Sequence, residues 1–295
     1  EGAALGTACC WTLSALFFSA AAQRLGSLAL NEIRLVQGFA YLTLFGWLWR
    51  GHPLPTDASA SNWLWLGLSG LIGFTLGDLC LFRAFVEIGP RISMLLMTLA
   101  PPIAALTGWL LLGEVLYGWA WLGMALTVSG VAWVALDRQA ALEEHDRRRL
   151  ARGILLAFGG AVGQGVGAVL GKKGTLDYDP FAATQIRILA GVAGFAMLFA
   201  ALRWWPKVWE ALKHPSGMGL SALGAFFGPF LGVSLFMLSL KHVDTGVTST
   251  IAATVPVLII PFVILVHKEK VSSRAILGAC LAVAGVAILF LGKPH

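Results

Sequence analysis

A chain of 295 residues that is 58% apolar and only 12% charged, with a mean hydropathy of +0.79, has too little polar surface to fold as a soluble globule, so the bilayer is its solvent. The formal charge of +6 would suit nucleic acid, but the basic residues fall mostly in short loops between apolar runs, where they act as a topology signal and not as a nucleic-acid surface. Cys9, Cys10, Cys80 and Cys280 lie inside apolar runs with no CxxC or Cys/His spacing, which argues against a disulfide framework or a metal site.

Ten apolar stretches, each of about 20 residues and long enough for roughly 30 Å of hydrocarbon, are placed at 4–22, 30–49, 63–83, 91–112, 117–136, 152–171, 181–203, 217–240, 246–266 and 272–292. Their length and lack of strict alternation make them helices, which satisfy their own backbone in lipid. The first run could pass for a secretory signal, yet it lacks a basic leader and has a counterpart at 152–171, so it reads as a retained span. Trp11 lies in its middle, away from the interfaces, where an indole either packs against helices or stacks on an aromatic substrate. Arg34 and Arg187 open spans 2 and 7, and their long stems are expected to snorkel to the interface, with contact to a substrate carboxylate as the other reading.

Span 3 holds Asp78, with no charged neighbour before Arg83. An ionisable group inside the membrane is expensive; it serves either proton coupling or a substrate amine, or else a buried hydrogen bond between helices. Arg83 and Glu87, four apart, are expected to pair on one helix face. In span 4, Pro101 and Pro102 free the carbonyls of Met97 and Thr98; in spans 8 and 9, Pro229, Pro256 and Pro261 free those of Ala225, Ala252 and Val257. Thr98, Thr248, Ser249, Thr250 and Thr254 are near enough to satisfy them. Such breaks are either packed kinks or a cavity wall, and their presence in both halves favours the wall.

Glu114 and Glu269 fall just past the ends of their spans and read as caps on the helices that follow. The charged run 137–151, with Arg147, Arg148 and Arg149, reads as a solvated linker. In span 6, Gly163-Gln164-Gly165-Val166-Gly167-Ala168 meets only a relaxed nucleotide-binding pattern, no strand precedes it, and Lys172-Lys173 lacks a following Ser or Thr. Gly163, Gly167 and Gly171, spaced by four, instead mark close helix packing, and Gln164 among them is a cavity candidate. Trp47, Trp49, Trp63, Trp65, Trp119 and Trp121 mark one interface, and Trp204, Trp205 and Trp209 the other.

The second half repeats the first. Gly73, Gly77, Pro101, Glu114, Gly123 and Gly130 recur 155 residues later as Gly228, Gly232, Pro256, Glu269, Gly278 and Gly285, and Ile33-Arg34-Leu35 with Gly38 recurs as Ile186-Arg187-Ile188 with Gly191 at an offset of 153. The division is residues 1–136, the linker 137–151, and 152–295. Five crossings per half force the second repeat to enter inverted, so the fold class expected is an all-α membrane protein of ten transmembrane helices, two inverted five-helix repeats around a central cavity. With the termini on one side, fourteen Lys and Arg residues fall on the opposite side against five on theirs, which puts the fourteen in the cytoplasm and the termini outside.

Each half thus carries Pro, Glu thirteen residues on, and Gly nine and sixteen residues after that: Pro101-Glu114-Gly123-Gly130 and Pro256-Glu269-Gly278-Gly285. This doubled pattern resembles the EamA domain of the drug/metabolite transporter superfamily. The resemblance implies ten helices around a central cavity and export of small metabolites through the bacterial inner membrane. Among relatives the chain most resembles amino-acid exporters, including those that take aromatic amino acids and planar organic cations. One departure is Lys268, where the first half has Gly113 before its acid. The resemblance and the span registers together place Trp11, Ser14, Asp78, Phe82, Met94, Met97, Thr98, Gln164, Ser239 and Thr248 as cavity candidates, with Pro101 and Pro256 as helix breaks. No cofactor and no metal are expected. The partners expected are a small molecule such as an amino acid and the lipid bilayer, with the monomer as the working unit. A membrane enzyme is the competing class: Gly77-Asp78 and Tyr178-Asp179 resemble intramembrane aspartyl proteases, but Thr75 stands where that pattern wants Gly, and Asp179 precedes Pro180 in a loop. A passive channel is the other alternative, set against it by the broken helices of both halves.

Overall fold

The computed structural model describes residues 2–113, 115–140, 144–242, 251–259, 262 and 273–290, and every regular element among them is helical. Helices α1 (Gly2–Leu25) and α2 (Ser27–Arg50) meet at Gly26, whose φ of 79° is open to glycine because there is no Cβ to clash. Helix α3 (Ala60–Gly70) starts from a capping box in which Ser59 and Asn62 satisfy each other's free N–H groups. The chain continues through a π turn (Leu71–Gly77), α4 (Asp78–Leu96), a 3-10 turn (Met97–Leu99) and α5 (Ala100–Leu112). That run of 53 residues would measure about 80 Å if straight, far beyond one bilayer crossing. Gly89, at φ 78°, followed by Pro90, breaks it into two, in the gap expected between spans 3 and 4.

The second half runs through α7 (Glu144–Thr175), α8 (Pro180–Leu202), α9 (Trp205–Ala211), α10 (Pro215–Ala225), a second π turn (Phe226–Gly232) and α11 (Val233–His242), after α6 (Gly118–Ala140) closes the first. The last described helix is α12 (Ser273–Phe290). Asp179 caps α8, its carboxylate accepting from the Ala182 N–H at 2.9 Å, and Pro180 stands at the first helical position, where no N–H is needed. The linker expected over 137–151 is mostly helix, because α6 continues to Ala140 and α7 begins at Glu144; Arg147, Arg148 and Arg149 lie on the exposed face of its first turns. Arg83 and Glu87 pair at 2.8 Å as expected, and Arg149 joins them at 3.3 Å.

Among the described residues six stretches are long and apolar enough to cross a membrane: Gly2–Leu25, Ala60–Leu112, Gly118–Leu136, Asp146–Thr175, Pro180–Leu202 and Pro215–Ser239. Helix α2 misses that mark because Asn31, Glu32, Arg34, Gln37 and Arg50 lie along it. The expected ninth span, 246–266, and Glu114 and Glu269 fall largely or wholly outside the described residues. Large apolar side chains point outward, with Leu48 at 74% and Trp49 at 77% exposure, while small residues and phenylalanines fill the inside. This is the surface of a multi-pass membrane protein, whose greasy exterior faces lipid. Arg24 and Arg50 stand at opposite ends of the α1–α2 hairpin, about 36 Å apart by helix rise. Arg24, Arg83 and Lys207 gather at one end, and Arg50, Lys173 and Lys241 at the other, which matches the partition of the charge count.

Glycines set how the helices meet. A Cβ on Gly163 would lie 2.5 Å from the Gly77 Cα, and one on Gly167 3.1 Å from the Gly73 Cα, so α7 touches the first π turn backbone to backbone. The second π turn packs on α1 differently, its glycines making room for side chains, Gly228 for Ser14 and Gly232 for Trp11. Helices α6 and α12 cross through Gly130 against Gly278, and Gly285 against Gly123, an antiparallel contact in which each residue's partner is the other's repeat mate.

Candidate functional site

The two π turns lie 155 residues apart and end alike. The Asp78 N–H bonds the Gly73 carbonyl, and the Val233 N–H bonds the Gly228 carbonyl, each five residues back. Widened turns of this kind re-aim the side chains that follow, and here they present Asp78 and its repeat mate Val233 to a shared interior. A cavity of about 190 Å³ occupies that interior. Its wall contains eight of the ten candidates expected from sequence: Trp11, Ser14, Asp78, Phe82, Met94, Met97, Thr98 and Gln164, together with both helix-break prolines, Pro101 and Pro256. Ser239 is buried elsewhere, and Thr248 lies outside the described residues.

Pro101, Pro229 and Pro256 stand in the cavity wall, Pro102 does not, and Pro261 lies outside the described residues. The freed Met97 carbonyl is taken up by the Ala100 N–H in the 3-10 turn. Thr98 and Thr254 do not serve the freed carbonyls: Thr98 donates to Leu95 O at 2.6 Å and Thr254 to Ile251 O at 2.7 Å, each bonding back within its own turn, while Thr248, Ser249 and Thr250 lie outside the described residues. Trp11 packs on Phe236 at 5.2 Å between ring centroids, so packing and exposure to the cavity coexist in one side chain.

One charged cluster interrupts a mostly apolar wall. Asp78, 3% exposed, forms an ion pair through Oδ2 with Nη2 of Arg34, itself 3% exposed. Gln164 Nε2 donates to Asp78 Oδ1 at 2.8 Å, and Arg34 Nε donates to Asn31 Oδ1 at 3.2 Å. The Arg34 guanidinium also lies 4.3 Å from the centroid of Phe82 and 5.5 Å from that of Phe18. The expectation that Arg34 and Arg187 snorkel to the interface is thus corrected: both point inward and are buried. Neither follows the interface because a partner or a ring already waits inside, Asp78 for Arg34 and Phe74, at 4.9 Å, for Arg187. Asp78 likewise has a charged neighbour that the sequence hid, since Arg34 is distant along the chain and adjacent only through packing of α2 on α4. Sequence reasoning also missed Phe18, Phe74, Phe85 and Phe236 in the wall; no local pattern separates these from other core phenylalanines.

Outside the spans, Asp57, Tyr178 and Arg50 form a second polar group at the end that carries Lys173 and Lys241. The Tyr178 hydroxyl donates to Asp57 Oδ1 at 2.8 Å, and Arg50 reaches Asp57 Oδ2 at 2.7 Å. Burial, with the Asp57 carboxylate beside it, pushes the Tyr178 phenol up to about 12. Burial acts to raise the Asp57 carboxyl, but the Tyr178 hydroxyl and Arg50 outweigh it and hold it below the usual carboxylate range. Among the described residues no cluster of His, Cys, Asp and Glu could hold a metal ion.

The sequence matches the EamA-like transporter family over residues 2–136 and again over 151–291, nearly the two halves read from the repeat. The chain belongs to the EamA-like transporter family. An uncharacterized transporter of Synechocystis sp. is 24% identical over 254 residues, 82% of this chain and 76% of its own. Among solved structures, one crystal structure superposes with a TM-score of 0.64 at 20% identity, over 97% of this chain and 96% of its own, a likeness of fold alone. Both family and relative carry the name of a transporter and not of an enzyme. In this EamA-like chain the two family repeats each contribute one π turn to the cavity wall.

Proposed function

We propose that this protein is a secondary transporter that exports small metabolites, amino acids including aromatic ones foremost, across the bacterial inner membrane. Ten helices in two inverted repeats rock around the central cavity and open it alternately to either side. The observation that carries the reading is the cavity itself: aromatic and methionine walls around one buried polar cluster of both signs, Arg34 with Asp78 and Gln164. Such a site suits a molecule with an apolar body and a zwitterionic head. The antiparallel contact of α6 and α12 through exchanged repeat mates supports the inverted relation of the halves, because a two-fold axis lying in the membrane plane generates it. Organic cations fit less well, since Asp78 is already neutralised by Arg34. The monomer suffices, because one chain supplies the whole wall described. The test is expression in a bacterium challenged with p-fluorophenylalanine: an exporter lowers intracellular accumulation and confers resistance, and unchanged accumulation of this and other amino-acid analogues overturns the reading. If export is proton-coupled, Asp78 is the carrier, and an Asp78→Asn variant is expected to lose uphill transport while keeping downhill exchange.

A further inference from the structure

Laying the two repeats over each other gives a match with one gap. Arg34, Asp78 and Phe82 of the first half correspond to Arg187, Val233 and Met237 of the second, at offsets of 153 for the arginine and 155 for the others. In the first half Arg34 rests on the Phe82 ring and pairs with Asp78, one turn earlier on the same helix. In the second half Arg187 rests on Met237, with Nη1 at 3.8 Å from Sδ, but one turn earlier stands Val233, which has no charge to offer. Arg187 is 3% exposed, its Nε has no hydrogen-bond partner, and among the described residues no carboxylate lies within ion-pair distance of it. Asp78 interacts electrostatically with both arginines, and neither of them pairs with the buried Glu32, so around Asp78 two guanidinium groups share one carboxylate. A buried guanidinium that makes no direct ion pair, and shares Asp78 with a second guanidinium already paired to it, is under-compensated, and an anion placed beside it completes the site.

We propose that Arg187 receives the carboxylate of the transported molecule, at the place where the second repeat has Val233 instead of an acid. The inference rests on the alternating-access reading above. Val233 already lines the cavity, while Arg187 stands one side chain behind its wall, stacked on Phe74 and sharing the surroundings of Gly73 with the wall residue Gln164. Inverted repeats that exchange conformations give Arg187 in one state the place that Arg34 holds in the other, on the cavity beside Asp78's mate. There the ligand carboxylate supplies what the protein lacks, and the Arg34, Asp78 and Gln164 cluster is left to the rest of the polar head. The class of substrate is accordingly a small apolar molecule bearing one carboxylate, and a molecule carrying only a positive charge is repelled.

Binding to the purified full chain in detergent tests this with three probes of one size: L-phenylalanine, 3-phenylpropionate, which lacks the amine, and phenethylamine, which lacks the carboxylate. The wild type is expected to bind both carboxylates and to discriminate against phenethylamine. Arg187→Gln is expected to weaken both carboxylates on the order of 100-fold, the scale seen when one partner of a buried charge pair is truncated, and Arg187→Lys to retain part of the affinity. Val233→Asp installs the missing acid and is expected to abolish carboxylate binding, whereas Val233→Asn is not; because Val233→Asp neutralises Arg187, it also covers the case in which Arg187→Gln fails to fold. Phenethylamine bound as tightly as phenylalanine overturns the proposal, and so does carboxylate binding that survives both Arg187→Gln and Val233→Asp, although the amino-acid reading then stands. If 3-phenylpropionate binds in an Arg187-dependent way and phenylalanine does not, the carboxylate site holds and the amino-acid reading fails. No binding of any of the three overturns both.

Discussion

Removing the Asp78 carboxylate by Asp78→Asn leaves the Arg34 guanidinium, 3% exposed, without its counter-charge. Breaking a buried ion pair from one side costs roughly 3–5 kcal/mol, because the surviving charge has been stripped of water and given nothing in return. Arg34 keeps its bond to Asn31 at 3.2 Å and the Phe82 ring at 4.3 Å, so the low end of that range, about 3 kcal/mol, is expected. Arg34→Met leaves Asp78 with Gln164 at 2.8 Å and the field of Arg187, and a similar loss of about 3 kcal/mol follows. With both charges gone no orphan remains, so the double variant is expected to lose far less than the sum of about 6 kcal/mol, a coupling of at least about 3 kcal/mol. Reversible unfolding in mixed micelles, followed by tryptophan fluorescence for the wild type and three variants, measures that coupling. Losses that add to within about 0.5 kcal/mol would show that the two side chains do not depend on each other and would refute the pair as the organising charge of the cavity.

Three further expectations use other parts of the molecule. Gly163→Ala places a Cβ 2.5 Å from the Gly77 Cα and 3.0 Å from the Ile72 carbonyl oxygen, both backbone that cannot swing away, and should cost about 1–3 kcal/mol. Gly219→Ala, whose Cβ meets nothing within 4 Å, should be neutral or stabilising, and equal melting points for the two would contradict backbone contact between α7 and the first π turn. Trp11→Ala should impair transport of phenylalanine and tryptophan more than that of alanine, whereas equal losses would assign Trp11 to its packing on Phe236 alone. Tyr178 has a folded value raised to about 12 from an ordinary 10.0, so the fold favours the protonated phenol; its contribution is complete below pH 10 and is lost as pH rises from about 10 to 12. Tyr178→Phe should flatten the fall in melting temperature across that window, and an unchanged slope would remove the Tyr178–Asp57 bond from the alkaline transition.

Much of this arrangement was legible because membrane helices write their limits into the chain. The 155-residue offset paired the segments that form the two π turns, since Gly73 and Gly228 lie inside them and Gly77 and Gly232 end them, but it gave no sign that they widen. Gly163 and Gly167 announced close packing, and Gln164 between them fell on the cavity as its position suggested. The Arg34 contact was not legible. A long side chain at a span's start has two low-energy destinations, the interface and an interior carboxylate, and only the packing of α2 on α4 chooses between them. The helical course of the charged segment was hidden for a related reason. Its arginines and glutamates are good helix formers that need no apolar face, so charge alone did not distinguish a helix end from a loop.

The measurement that bears most directly on the central claim is uptake of a labelled amino-acid panel into proteoliposomes holding the purified chain, with and without an imposed proton gradient. Saturable uptake of phenylalanine is expected, competed by unlabelled aromatic amino acids and reduced by Asp78→Asn where a gradient drives it. Absence of uptake for every amino acid, with protein shown to be folded and reconstituted, would contradict that claim.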